Sequence, residues 1–172
     1  MKGKDRIRAA LEAATSHYAA NPGDARSRDS VATATLREGL VVEVVAATGE
    51  RLTTDMVDSV GGTGTAPSPG WLLRAAEASC VATLIAMRAA TLGITLDTLE
   101  VAVDSESDDR GMLGMDDSVP AGPLTGRVQV RLTAGGADPA TLEEMARWGV
   151  EHCPVCNALE RPVPITIEVA TS

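Results

Sequence analysis

The sequence contains no phenylalanine, one tyrosine (Tyr18) and only two tryptophans, Trp71 and Trp148. A core built from these 172 residues must therefore be filled with Ala, Val, Leu, Ile and Met. Small side chains bury little area each, so a partner subunit is one way to bury enough. Positive charge is also scarce, and the net charge is -9. That argues against a nucleic-acid partner, where Lys and Arg must neutralise phosphates, and against an anionic membrane surface. No uninterrupted apolar run is long enough for a bilayer span, and none follows the first charges as in a secretory leader. A cytoplasmic protein without membrane attachment is expected. In that compartment the three cysteines are not expected to form a structural disulfide framework. They read instead as buried packing residues, metal ligands or redox groups.

Further absences exclude particular chemistries. The acidic cluster Glu106, Asp108, Asp109, Asp116 and Asp117 lacks EF-hand spacing and reads as a solvated loop. Gly61-Gly62-Thr63-Gly64-Thr65 opens into a helix but lacks the Lys-Ser/Thr of a phosphate loop. No Ser-His-Asp arrangement is supported by spacing, and His17 reads as a surface residue. There is no internal repeat and no low-complexity tract. The length suits one domain with one core.

What is present is an alternation of helical and strand patterns. Ile7, Leu11, Ala14 and Tyr18 share a helical stripe over residues 4–20, ended by Asn21-Pro22-Gly23. Residues 23–30 are polar and read as a linker, so residues 1–30 form a helical extension and residues 31–172 the main domain. Strands are expected at 31–36, 40–46 and 51–54, with Arg37-Glu38-Gly39 as a turn. Ser68 suits an N-cap and Pro69 the first helical position of a helix reaching about Thr91, with Gly93 past its end. That helix is apolar nearly all round and is expected to be central and buried. Alternation marks further strands at 99–104, 127–132 and 165–169, each with one packed face. A loop is expected from Ser105 to Pro123. A helix capped by Asp138 and started by Pro139 ends before Pro154, where a short helix to Glu160 begins. The fold class is α+β, an antiparallel sheet curled around a long buried helix.

Three cysteines carry the chemistry worth weighing. Cys80 sits in the middle of the apolar helix, where free cysteine is often inert packing and gains little from the helix dipole. A reactive Cys80 requires a cation to hold its thiolate. Cys153 falls at an N-cap with Pro154 behind it, and Cys156 lies in the first turn. Unpaired N–H groups there favour a thiolate. A chance CxxC at a helix break is the alternative. Zinc on His152, Cys153, Cys156 and Cys80 is disfavoured, because His152 and Cys153 are adjacent and no second CxxC exists.

The run Gly61 to Pro69, followed by Leu72-Leu73-Arg74-Ala75-Ala76 and Ala78-Ser79-Cys80, resembles the signature of the OsmC/Ohr family. That family joins a Gly-rich turn and a Pro-bounded helix start to a cysteine half a helix later. Cys153-Pro154-Val155 resembles its second cysteine segment. Glu106-Ser107-Asp108-Asp109-Arg110-Gly111 resembles one subgroup's loop after the helix. The likeness covers roughly residues 31–170.

The resemblance implies an intertwined homodimer with two active sites at the subunit interface. It implies reduction of organic hydroperoxides without metal, flavin or other cofactor. Cys80 would attack the peroxide, Cys153 would resolve it as a disulfide, and a dithiol reductant (a lipoyl or thioredoxin-like protein) would restore both. Family members of the Ohr type also use an arginine that holds the thiolate and a glutamate that orients it. Arg37 is the candidate arginine, with Arg51 second, and Asp58 falls at the glutamate's place, one methylene shorter. Cys156 is not required by the motifs and is a candidate alternative resolving thiol. Two rivals stay open: a non-catalytic member of the fold that binds an apolar small molecule, and a disulfide oxidoreductase using Cys153 and Cys156 alone.

Overall fold

The computed structural model describes residues 3–171. Residues 1, 2 and 172, at the ends of the two expected segments, lie outside the described residues. The chain divides into two compact units, Met1–Ala76 and Glu77–Ser172.

The first unit opens with helix α1, Gly3–Ala20, which has no buried residue. A 3-10 turn, Pro22–Ala25, follows, and His17 Nε2 meets Asp24 Oδ2 across it at 2.9 Å. Strands β1 (Ala32–Leu36), β2 (Val42–Ala46) and β3 (Arg51–Thr54) form an antiparallel sheet in sequence order. Leu36 pairs with Val42 across the expected turn, where Gly39 takes a positive φ of 55° that a Cβ disfavours. After β3 the chain makes a 3-10 turn at Asp58–Val60 and enters the Gly-rich loop. Gly62 passes so close to Met56 that an added Cβ would lie 1.9 Å from the Met56 carbonyl oxygen. Only glycine fits there.

Helix α2, Pro69–Thr91, begins where Ser68-Pro69 predicts. The Ser68 hydroxyl accepts the Trp71 N–H at 3.2 Å and satisfies an orphan donor of the first turn. Its burial is narrower than its composition suggested. Val81, Ile85, Ala89 and Ala90 are buried, all in its second half, while Trp71 is half exposed. Val81, Ile85 and Ala89 recur every fourth residue and so form one stripe. By length and composition α2 is apolar enough to cross a membrane, and its Val81, Ile85 and Ala89 join the buried core cluster.

In the second unit, β4 (Thr98–Glu106) and β5 (Thr125–Thr133) pair antiparallel, Val101 opposite Val130. Leu99, Val101, Val128, Val130 and Leu132 face the core cluster of Val81, Ile85, Ala89, Met145, Cys153 and Cys156. Burying Ile85 or Met145 contributes about 1.5–3 kcal/mol each. The stretch expected as loop between the strands contains a short helix α3, Asp109–Met112, capped by Asp108. Helix α4, Pro139–Glu151, is capped by Asp138, which accepts from Thr141 N at 2.9 Å. Gly149 lets α4 approach α2 closely: a Cβ there would lie 2.4 Å from Ile85 Cγ1. Helix α5, Pro154–Glu160, has Cys153 as its N-cap.

Two expectations are corrected. The single curled sheet is replaced, among the described residues, by two separate sheets of three and two strands. The strand expected at 165–169 is not formed, and Ile165, Ile167 and Val169 are 85%, 82% and 79% exposed. Alternation reports a face that needs covering, and among the described residues no strand pairs with this segment.

Candidate functional site

The three cysteines converge in the second unit. Cys153 is fully buried and Cys156 nearly so, while Cys80 is half-buried and packs against them. All three are free thiols. The α4–α5 break places them: His152 ends α4, with its backbone N–H and Nδ1 both on the Trp148 carbonyl, and Pro154 starts α5. Cys153 is left between the helices with its side chain turned back over the first turn of α5. Its Sγ accepts the Cys156 backbone N–H at 3.3 Å. Cys80 packs against it in the same cluster.

The three thiols are not equivalent. Burial pushes Cys153 up, but the Cys156 N–H, the Cys80 thiol, the Cys156 thiol and the Val155 N–H together outweigh it. Cys153 therefore loses its proton below the ordinary thiol range. Burial raises Cys80, and the neighbouring Cys153 raises it further, against a Val155 N–H that donates to its sulfur. Burial raises Cys156 far more, helped by Cys153 and by the carboxylate of Glu77. The Cys156 thiol donates to Glu77 Oε1 at 3.6 Å. Of the three, Cys153 gives up its proton most readily, and both neighbours hold theirs more tightly.

Glu77 was not legible in the sequence, because it meets Cys156 from 79 residues away. Its position three before Cys80 on a helix, hence on the same face, was the available signal. Among the described residues, no group of three or more His, Cys, Asp or Glu is placed to hold a metal ion.

The polar candidates lie in the first unit. Arg37 and Arg51 both bind Glu43, Arg51 Nη1 at 2.9 Å from Oε1. These two arginines hold the Glu43 carboxyl below its usual range. Glu43 is thus the carboxylate that orients both candidate arginines, a cross-strand partner that the sequence reading passed over. Asp58 sits exposed in its 3-10 turn. The buried carboxylate of that segment is Asp55, only 1% exposed. Asp55 accepts five hydrogen bonds: from Met56 N, and from the backbone and hydroxyl of both Thr63 and Thr65. The Thr63 hydroxyl leads in holding its carboxyl far below the usual range. Asp55 is the anchor of the Gly-rich loop that leads into α2.

A family model described as OsmC-like protein matches residues 62–168. No curated protein sequence matches. Several solved structures share the fold at low identity. An organic hydroperoxide resistance protein from Legionella pneumophila is 21% identical, with a TM-score of 0.57 over 78% of this chain and 90% of its own. An OsmC-like protein of unknown function from Vibrio cholerae is 12% identical, with a TM-score of 0.65 over 78% and 95%. An organic hydroperoxide resistance protein from Elizabethkingia anophelis is 16% identical, with a TM-score of 0.59 over 80% and 91%.

Proposed function

The chain belongs to the OsmC-like protein family, and on that premise we propose that it is a cysteine-based peroxidase that reduces organic hydroperoxides. One observation carries the reading: Cys80 packs against the buried cluster that holds Cys153. A thiol pair so placed passes from sulfenic acid to disulfide without large motion.

The chemistry balances. The Cys80 thiolate attacks the distal peroxide oxygen; an S–O bond forms, the O–O bond breaks, and the alkoxide leaves as alcohol after taking a proton. Cys153 thiolate then attacks the Cys80 sulfur; the S–S bond forms, the S–O bond breaks, and the hydroxide leaves as water after taking a proton from solvent. A dithiol, lipoyl-borne or thioredoxin-like, reduces the Cys80–Cys153 disulfide. Because burial and Cys153 keep the proton on Cys80, the first step needs a cation near it. Arg37 is proposed for that role, with Arg51 second, on the family resemblance; Asp58 is the orienting carboxylate by that resemblance, whereas Glu43 is the one that both arginines bind here. An apolar peroxide tail supplies binding energy that hydrogen peroxide lacks, so organic hydroperoxides are the faster substrates.

The proposal includes an intertwined homodimer in the cytoplasm. The exposed alternation of Ile165, Ile167 and Val169 supports an assembly in which a second copy covers that segment.

A second reading draws on the lowered Cys153 and its N–H bond from Cys156: a disulfide oxidoreductase of the CxxC type. The deciding test is cumene hydroperoxide consumption with a dithiol reductant, for wild type and Cys80→Ser. Rapid consumption abolished by the substitution supports the peroxidase. None in folded wild type overturns the peroxidase, and in that case mass mapping of the oxidised protein tests the CxxC reading by a Cys153–Cys156 bridge.

A further inference from the structure

Cys153 is shared. It packs in one cluster with Cys80 and accepts the Cys156 N–H, and the two-cysteine cycle leaves Cys156 and Glu77 unused. Both unused groups have a defined place. Cys156 is 5% exposed, three residues after Cys153 in the first turn of α5, a separation at which CxxC sulfurs bridge. Its thiol points at Glu77 Oε1, 3.6 Å away, and Glu77 lies one turn before Cys80 on α2.

We infer that Cys156 is a second resolving thiol that receives the disulfide from the Cys80–Cys153 bridge, with Glu77 accepting its proton. This rests on the peroxidase reading above. The exchange balances. Cys156 gives its proton to the Glu77 carboxylate, and its thiolate attacks Sγ of Cys153. The Cys153–Cys156 bond forms, the Cys80–Cys153 bond breaks, and the electron pair leaves on Cys80. No external oxidant or reductant takes part. The Val155 N–H that donates to Cys80 Sγ stabilises the departing thiolate.

The arrangement also times the step. In the resting cluster, burial and the hydrogen bond and negative charge of Cys153 hold Cys156 protonated. A Cys153 locked in a disulfide carries no charge, so its oxidation lifts that part of the restraint, while burial and the Glu77 carboxylate stay. Cys156 is a better nucleophile after Cys153 has resolved Cys80 than before. The relay frees Cys80, the most exposed of the three thiols, for another peroxide before any reductant arrives.

The test uses the full-length protein, one equivalent of cumene hydroperoxide and no reductant, with acid quench, alkylation and peptide mass mapping over time. The expected sequence in wild type is a transient Cys80–Cys153 bridge followed by Cys153–Cys156, with Cys80 again alkylatable. Cys156→Ser should stop at Cys80–Cys153. Glu77→Gln should form the first bridge normally and convert it about tenfold or more slowly, as loss of a positioned base requires. Cys80→Ser should leave Cys153 and Cys156 alkylatable. A wild-type endpoint of Cys80–Cys153 with free Cys156 overturns the relay and leaves the peroxidase intact. A Cys153–Cys156 bridge formed equally fast in Cys80→Ser also overturns it, because the CxxC then oxidises unaided. Three free thiols in wild type overturn relay and peroxidase together.

Discussion

The Sγ of Cys153 accepts the backbone N–H of Cys156 at 3.3 Å, so the most acidic thiol of the cluster is not the one in the middle of the apolar helix. Cys153 should therefore be the first of the three thiols to ionise as pH rises. Thiolate absorbance followed against pH should lose its lowest step in Cys153→Ser and retain it in Cys156→Ala. The folded state lowers the Cys153 pKa, so this group adds stability that is complete above the ordinary thiol value. That stability is lost as pH falls through the folded value. Wild type minus Cys153→Ser should show this rise in denaturation experiments across the neutral to alkaline range.

The close approach of Gly149 to Ile85 predicts a coupled pair. Gly149→Ala brings a Cβ to 2.4 Å from Ile85 Cγ1. Overpacking of this kind costs about 1–3 kcal/mol, more than the roughly 1 kcal/mol that alanine gains over glycine in a helix. Ile85→Ala alone should cost about 2–5 kcal/mol. The double substitution should cost less than the sum, measured by urea unfolding, because the smaller side chain makes room for the new methyl.

Asp55 predicts an acid-sensitive loop. Its carboxylate gathers Thr63 and Thr65, and its pKa is held far below the ordinary value. The stability it adds is complete above the usual carboxylate range and is lost as pH falls below it. Relative to their intrinsic rates, the Thr63 and Thr65 amides should become fast-exchanging as the pH drops below that range. Asp55→Asn should show the fast rate already at neutral pH, since an amide nitrogen cannot accept these donors.

The ends of α2 and α5 were legible because capping is local chemistry: Ser68-Pro69 and Cys153-Pro154 each combine an N-cap acceptor with a residue that has no N–H to satisfy. The pairing of β4 with β5 was legible from alternation. Asp55, Glu43 and Glu77 were not. Each acts on partners in another turn or strand, and a sequence does not state which carboxylate a fold will bury. The segment at 165–169 was read as a strand from its pattern, yet a pattern cannot say which chain supplies the neighbour.

That segment predicts an assembly defect. Burying an isoleucine contributes about 1.5–3 kcal/mol, and each 1.4 kcal/mol is about tenfold in affinity. The pair Ile165→Glu and Ile167→Glu should raise the dimer dissociation constant by roughly a hundredfold or more, read by sedimentation. An unchanged association would mean that a second copy does not cover these residues.

The most direct test of the account is the site of the first oxidation. A sulfenic-acid trap should be added with cumene hydroperoxide to Cys153→Ser, in which Cys80 cannot be resolved by its neighbour. The account predicts a trapped adduct on Cys80, found by peptide mass. An adduct on Cys156 with Cys80 unmodified, or no adduct in folded protein that consumes peroxide, would contradict it.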